Sequence, residues 1–346
     1  MTRGLFAMCR KLAIASEFVL LLAILPNFRA PFAQTPPTAP PPLSAEELQV
    51  YNKSHTVIRW TARDIRARKE LAGLEPAESQ RDLPQILGQV GDRVLAFINN
   101  FPNITATESI QWQLENKTPS TETFRYLLMR KPAGPWETFE EYRTDLQGKE
   151  IEYPKLKGEP LLTSEFSLAL LYFAPNNQLA CRYRYFGRQK LAGQETDVVG
   201  FAEIPEENLR LANYHDGPRI IPLLFQGLAW IDARSHEILR LQTDLLAPPP
   251  NSILRRESTL IDYAPVFLPE TSSPFLLPSR VVVDVWQGVV VWKRGGAGGA
   301  TTRGHREEIF EDSNGAGLSV QHCRNIHTYS DYKLFRVESR IKPTPW

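Results

Sequence analysis

His322, Cys323 and His327 form an H-C-x3-H cluster, three side chains of the types that bind zinc. In an extended strand the odd separation sends His322 and His327 to opposite faces. Cys323 and His327 would share a face but stand about 13 Å apart along it, too far for one ion. No HExxH is present, and His305-Arg306-Glu307-Glu308 lacks a second histidine. Nucleophile signatures are equally absent: there is no G-x-S-x-G elbow. His215–Asp216 and Ser235–His236 are neighbours in polar loops, where turn chemistry accounts for them. Glu140, Glu141 and Asp145 read as cross-strand charge pairing on a sheet surface. The glycine-rich run 295–304 lacks the lysine of a phosphate loop and reads as a hairpin loop. No catalytic residue, metal or cofactor is expected.

The large apolar side chains carry more information. RVVVDVWQGVVVW (280–292) places Val281, Val283, Val285, Val289 and Val291 on one face, and Val282, Trp286, Val290 and Trp292 on the other. Such a strand is covered on both sides, by helices, a second layer or an apolar ligand. In the hairpin GLAWID-ARSH-EILRLQTDL, alternation puts Leu239, Leu241, Thr243 and Leu245 on one face. Trp230, Leu239, Leu241, Trp286 and Val290 are therefore the expected lining of an apolar binding cavity.

The chain that must position these residues has 346 residues, with 40 Lys+Arg against 39 Asp+Glu. That balance excludes a strongly basic nucleic-acid binder. Arg3, Arg10 and Lys11 precede the apolar run Phe18 to Leu25, and a small-residue segment ends at Ala33. Residues 1–33 thus read as a secretory signal peptide, since the apolar run is too short to span a bilayer. Retention as a membrane anchor is the other reading. Cleavage would remove four cations and one anion, leaving a net charge of -2. It would also leave only Cys181 and Cys323, which in an oxidising compartment either form one disulfide or stay as two buried thiols.

Residues 34–43 contain the proline-rich TPPTAPPP and read as an extended linker. Ser44 and Glu47 form a capping box, and Leu48, Tyr51, His55, Ile58, Ala62 and Ile65 mark one buried helical face. Arg63, Arg66, Arg68 and Lys69 make its later half basic, a solvated face that could also touch acidic headgroups. A second helix is predicted after Asp82, with Pro84 in its first turn and Pro102 ending it. A helical segment at 44–104 then gives way to a β domain at 105–346. Roughly a dozen short alternating segments predict one long antiparallel meander, which must curl, split or close. The fold class is α+β: an open, incomplete β-barrel with N-terminal helices packing on it or lidding it. The excursion from about 147 to 178, carrying SEFSLALLYFAP, is a candidate lid or plug.

LPQILGQVGDRVLAFINNFPNITATE, FRYLLMRK, EEYRTD, GLAWID, EILRLQ and YSDYKLFRVESRI together resemble the LolA/LolB-like periplasmic lipoprotein-carrier superfamily, and within it exported proteins of acidobacterial type. The resemblance implies an open barrel lidded by helices that holds acyl chains. It implies a non-catalytic carrier in the periplasm of a Gram-negative bacterium. Its partners would be apolar or acylated ligands, envelope lipoproteins and, peripherally, a membrane. Two alternatives stand beside it: an envelope scaffold without a small ligand, and an exported hydrolase built on His322, His327 and nearby carboxylates.

Overall fold

The computed structural model describes residues 42–114, 117–133, 136–149, 151, 168–207, 209, 211–216, 219–250, 252–269, 271, 273–290, 310–311 and 317–335. The segment read as a signal peptide, most of the proline-rich linker and the glycine-rich run at 295–304 lie outside these residues. From Pro42 onward the chain forms one compact unit.

Helix α1 (Ala45–Asn52) opens on the expected capping box, with the Ser44 hydroxyl accepting from Glu47 N–H and the Glu47 carboxylate accepting from Ser44 N–H. The single helix expected to open at Ser44 and run through Ile65 is instead broken. A 3-10 turn follows at Val57–Arg59, and a second capping box at Thr61 and Asp64 starts α2 (Ala62–Ala67). Tertiary contact explains the break. Val57 N–H donates to the side chain of Gln226, and Val57 and Trp60 turn down onto the sheet. Helix α3 (Leu83–Asn100) matches its prediction, with Pro84 in the first turn. Its Ile86, Val90 and Val94 recur on one face and are buried against the sheet.

The strands are β1 (Glu75–Pro76), β2 (Ile104–Leu114), β3 (Ser120–Ala133), β4 (Trp136–Thr144), β5 (Cys181–Leu191), β6 (Gln194–Glu203), β7 (Ala212–Asp216), β8 (Arg219–Leu223), β9 (Phe225–Asp232), β10 (Ile238–Leu245), β11 (Leu254–Val266), β12 (Phe275–Val290), β13 (Phe310–Glu311) and β14 (Gly317–Leu334). β7 and β8 form a separate hairpin. The rest make one antiparallel sheet in the order β1-β5-β6-β9-β10-β11-β12-β14-β2-β3-β4, with β13 on β14.

The meander is therefore interrupted. The last strand returns to pair with β2, and β4 and β5, consecutive in sequence, come to lie toward opposite ends of the sheet. The sheet is curled. Phe139 on β4 and Phe275 on β12 both pack on Phe101, at 5.2 and 5.8 Å between ring centroids. Strands four steps apart in a flat sheet would be about 19 Å apart. The sheet does not close, so the fold is an open antiparallel barrel carrying a few helices.

The long excursion links β4 to β5 along the chain. Its described part forms a 3-10 helix at Leu168–Phe173, buried against α3 and the inner face of the sheet. Residues 152–167 lie outside the described residues. Gln178 donates its side-chain amide to Leu87 O and Phe173 O, tying this plug to α3. Gly91 makes the approach possible: a Cβ there would stand 2.8 Å from the Gln178 amide and 3.3 Å from Phe173 O.

Candidate ligand-binding site

A pocket lies between α3 and the sheet, with a volume of about 470 Å³, within the range of small-molecule sites. Val90, Val94 and Phe97 of α3 form one wall. Leu170 of the plug, Ile238, Tyr263 and Phe275 form the floor and far side. Arg93, Asn100, His236 and Glu237 add polar groups. The helix is pinned to the β9–β10 turn by Arg93 Nε, which donates to Ser235 O at 2.9 Å. In that turn His236 takes a left-handed backbone conformation (φ 60°), and its buried Nδ1 has no hydrogen-bond partner among the described residues. The arrangement suits an amphipathic molecule, with apolar walls to take a chain and polar groups to orient one end.

The five expected lining residues do not share one surface. Trp230 is fully buried on the opposite, outer face, among Val57, Trp60, Leu71, Phe186 and Leu228. Its indole Nε1 donates to Gln189 Oε1 at 2.7 Å, and the Gln189 amide donates to Glu70 O and Ala72 O. Trp230 thus fastens the N-terminal segment to the sheet. Leu241 is on the inner face but fully buried in the core. Leu239 is parted from it by a β-bulge: Ile238 pairs with Ile231 and Arg240 with Trp230, leaving Leu239 as the extra residue. Strict alternation misses such an insertion.

Trp286 is also on the outer face, half-exposed. It is sandwiched between the Arg256 guanidinium and the His322 ring, each 4.5 Å from its ring centroid. That face of β12 is only partly covered, unlike β6 and β9, which are buried on both sides along most of their length. The side chain of Val290 lies outside the described residues. Cys181 and Cys323 are both buried and not joined in a disulfide. Their strands are separated by five others in the sheet order, and burial pushes the Cys181 thiol up to about 12.

A polar cluster inside the barrel was not foreseen. Glu108 on β2, fully buried, accepts from Arg143 Nη2 on β4 (2.9 Å), His327 Nδ1 on β14 (2.8 Å) and Tyr329 OH (2.8 Å). Arg143 reaches it across the ring of Tyr126 on the intervening β3. Burial raises the carboxyl's pKa, but the Arg143 charge and the His327 hydrogen bond outweigh it and hold it at about 2. Burial lowers the His327 pKa despite Glu108, so the imidazole is neutral and its Nδ1 carries the donated proton. His322 sits across the sheet, with Nε2 2.6 Å from Asp284. The two histidines face opposite ways and do not converge on one site. Among the described residues no group of three metal-ligating side chains converges.

No protein-family model matches the chain, and no curated protein matches it. Solved structures are similar at low identity. One, from Vibrio parahaemolyticus, is a domain named for outer membrane lipoprotein sorting. It is 11% identical, covering 71% of this chain and 91% of that one, with a TM-score of 0.34. A DUF1329 family protein from Desulfovibrio piger is 6% identical over 74% and 94%, at 0.36. A LolA superfamily protein from Nitrosomonas europaea is 11% identical over 74% and 94%, at 0.30. At these TM-scores the likeness assigns neither ligand nor activity, which are argued below from this chain's own geometry.

Proposed function

We propose that this protein is an exported, non-catalytic binder of an acylated or otherwise apolar ligand, held in the pocket between α3 and the sheet. The observation that carries the reading is that pocket, walled by Val90, Val94, Phe97 and Phe275 and edged by Arg93, His236 and Glu237. Burial would supply the affinity, at about 0.8 kcal/mol for each CH2 withdrawn from water. Helix α3 is the lid, and opening it would break the Arg93–Ser235 contact while the Gln178 bonds keep it attached to the plug. The N-terminal 33 residues support delivery to a periplasm, where envelope lipoproteins and membrane lipids would be the available acyl donors.

The test is native mass spectrometry of the exported protein, purified without detergent, with lipid extraction alongside. The expected result is a co-purifying acyl lipid, lost in Val94→Arg protein that still folds. A clean ligand-free mass, unchanged after incubation with lipids and lipopeptides, would refute the reading and favour an envelope scaffold.

A further inference from the structure

A second hollow of about 410 Å³ lies at the outer side of the β9–β10 turn, and Glu237, Tyr263 and Leu276 line both it and the pocket under α3. From these shared walls we infer that the two form one bent channel, and that its ligand is a single-chain amphiphile with an amine-bearing, cationic head. The inference rests on the apolar-ligand reading above and extends it to the length and charge of the molecule. The tail lies beneath α3, the chain passes over Leu276 and Tyr263, and the head emerges at the second hollow.

Two observations support it. The β-bulge that separates Leu239 from Leu241 aims Leu239 into the second hollow, opposite Leu191 and Pro265, and gives it an apolar lining. Charge then selects the head. The second hollow is lined by Asp232, Glu237 and Asp262, and its one lining cation among the described residues, Arg240, is held by Asp262 at 2.6 Å. Hydrogen bonds from the backbone N–H groups of Arg234 and Ser235 keep Asp232 ionised against the effect of its partial burial. A cationic head is favoured there and a sulfate or carboxylate head repelled.

The experiment is titration calorimetry of the folded protein with alkyltrimethylammonium and alkyl sulfate probes of eight, twelve and sixteen carbons, below their micelle concentrations. Affinity for the cationic series should rise about fourfold per methylene while the chain is being buried, and continue to rise from twelve to sixteen carbons. The cationic heads should bind at least tenfold tighter than the sulfates. Leu239→Asn should erase the gain from twelve to sixteen carbons and leave eight-carbon binding intact. Glu237→Gln, which keeps the side chain's size, should reduce the preference for cations whether or not the first variant folds.

Equal affinity for twelve and sixteen carbons in the native protein, or no preference between heads, would overturn the channel while sparing the pocket. So would sixteen-carbon binding by folded Leu239→Asn at native strength. Failure of every probe to bind the native protein would overturn the pocket reading as well.

Discussion

The two ends of the curled sheet are sealed by different chemistry. Around β5, β6, β9 and β10 both faces are largely apolar, with Gln189, Thr196, Asp197 and Glu203 buried singly among the apolar groups. Val199, Phe201, Ala229 and Ile231 pack inward beneath the plug, while Val198, Leu228 and Trp230 pack outward beneath residues 57–71. Around β14, β2, β3 and β4 the inner face instead holds Glu108, Arg143, His327 and Tyr329, and the outer face is an open groove bearing Arg125 and Lys333. The first region is held by area and shape, which tolerate conservative exchange of apolar groups. The second adds to its apolar clusters a few directional bonds to one carboxylate, where losing a single partner strands a buried charge. Shape is thus shared between the ends, while the fully buried Glu108–Arg143 ion pair belongs to one.

The largest effect should come from breaking the ionic cluster on one side only. Arg143→Met leaves Glu108 charged and buried, and should cost about 3–5 kcal/mol in urea unfolding. Adding Glu108→Leu should recover at least half of that loss, because no uncompensated charge remains. A double variant as unstable as the single one would mean that the cluster contributes net attraction, not merely a satisfied burial. Next, Phe173→Ala in the plug should cost about 3 kcal/mol, since the side chain is fully buried between α3 and Phe201. A partial rescue by a cavity-filling apolar molecule would confirm an apolar void. No such rescue is expected at Arg143.

The smallest effect is one of pH, and it has opposite signs at Glu108 on β2 and at Glu257 on β11. Glu108, held at about 2 when folded, contributes stability that is present above its ordinary 4.5 and lost as the pH falls toward 2. His327, held neutral by burial, adds a loss as the pH falls below about 6.5, where the unfolded chain takes up a proton first. Glu257, on the inner face of β11, runs the other way. Burial pushes its carboxyl up to about 7, against a hydrogen bond from Thr259. Its contribution is greatest below 4.5 and is lost as the pH rises from 4.5 through 7. Glu257→Gln should therefore stabilise the protein more at pH 8 than at pH 5. Equal urea midpoint shifts at the two pH values would show that Glu257 does not titrate in this range.

Much of this molecule is local enough to read along the chain. The Ser44–Glu47 capping box, the amphipathic face of α3 and the alternation along β2 and β11 each depend on contacts within a few residues. So did the conclusion that His322 and His327 cannot meet, which is a matter of strand parity. What the chain does not display is whatever depends on long-range pairing. β14 returns to β2 across some two hundred residues, and only that pairing brings His327 to Glu108. A burial pattern alone could have flagged Glu108, since it stands in the apolar register Ile104, Ala106, Ile110, Trp112, where a lone carboxylate must find a partner. The bulge at Leu239 and the strand-wide separation of Trp230 from Leu241 were likewise settled by partner strands. Periodicity determines which residues share a face, because it is set by backbone geometry. Which face becomes a core, a seal or a pocket is decided by what packs against it, and that is a property of the tertiary structure alone.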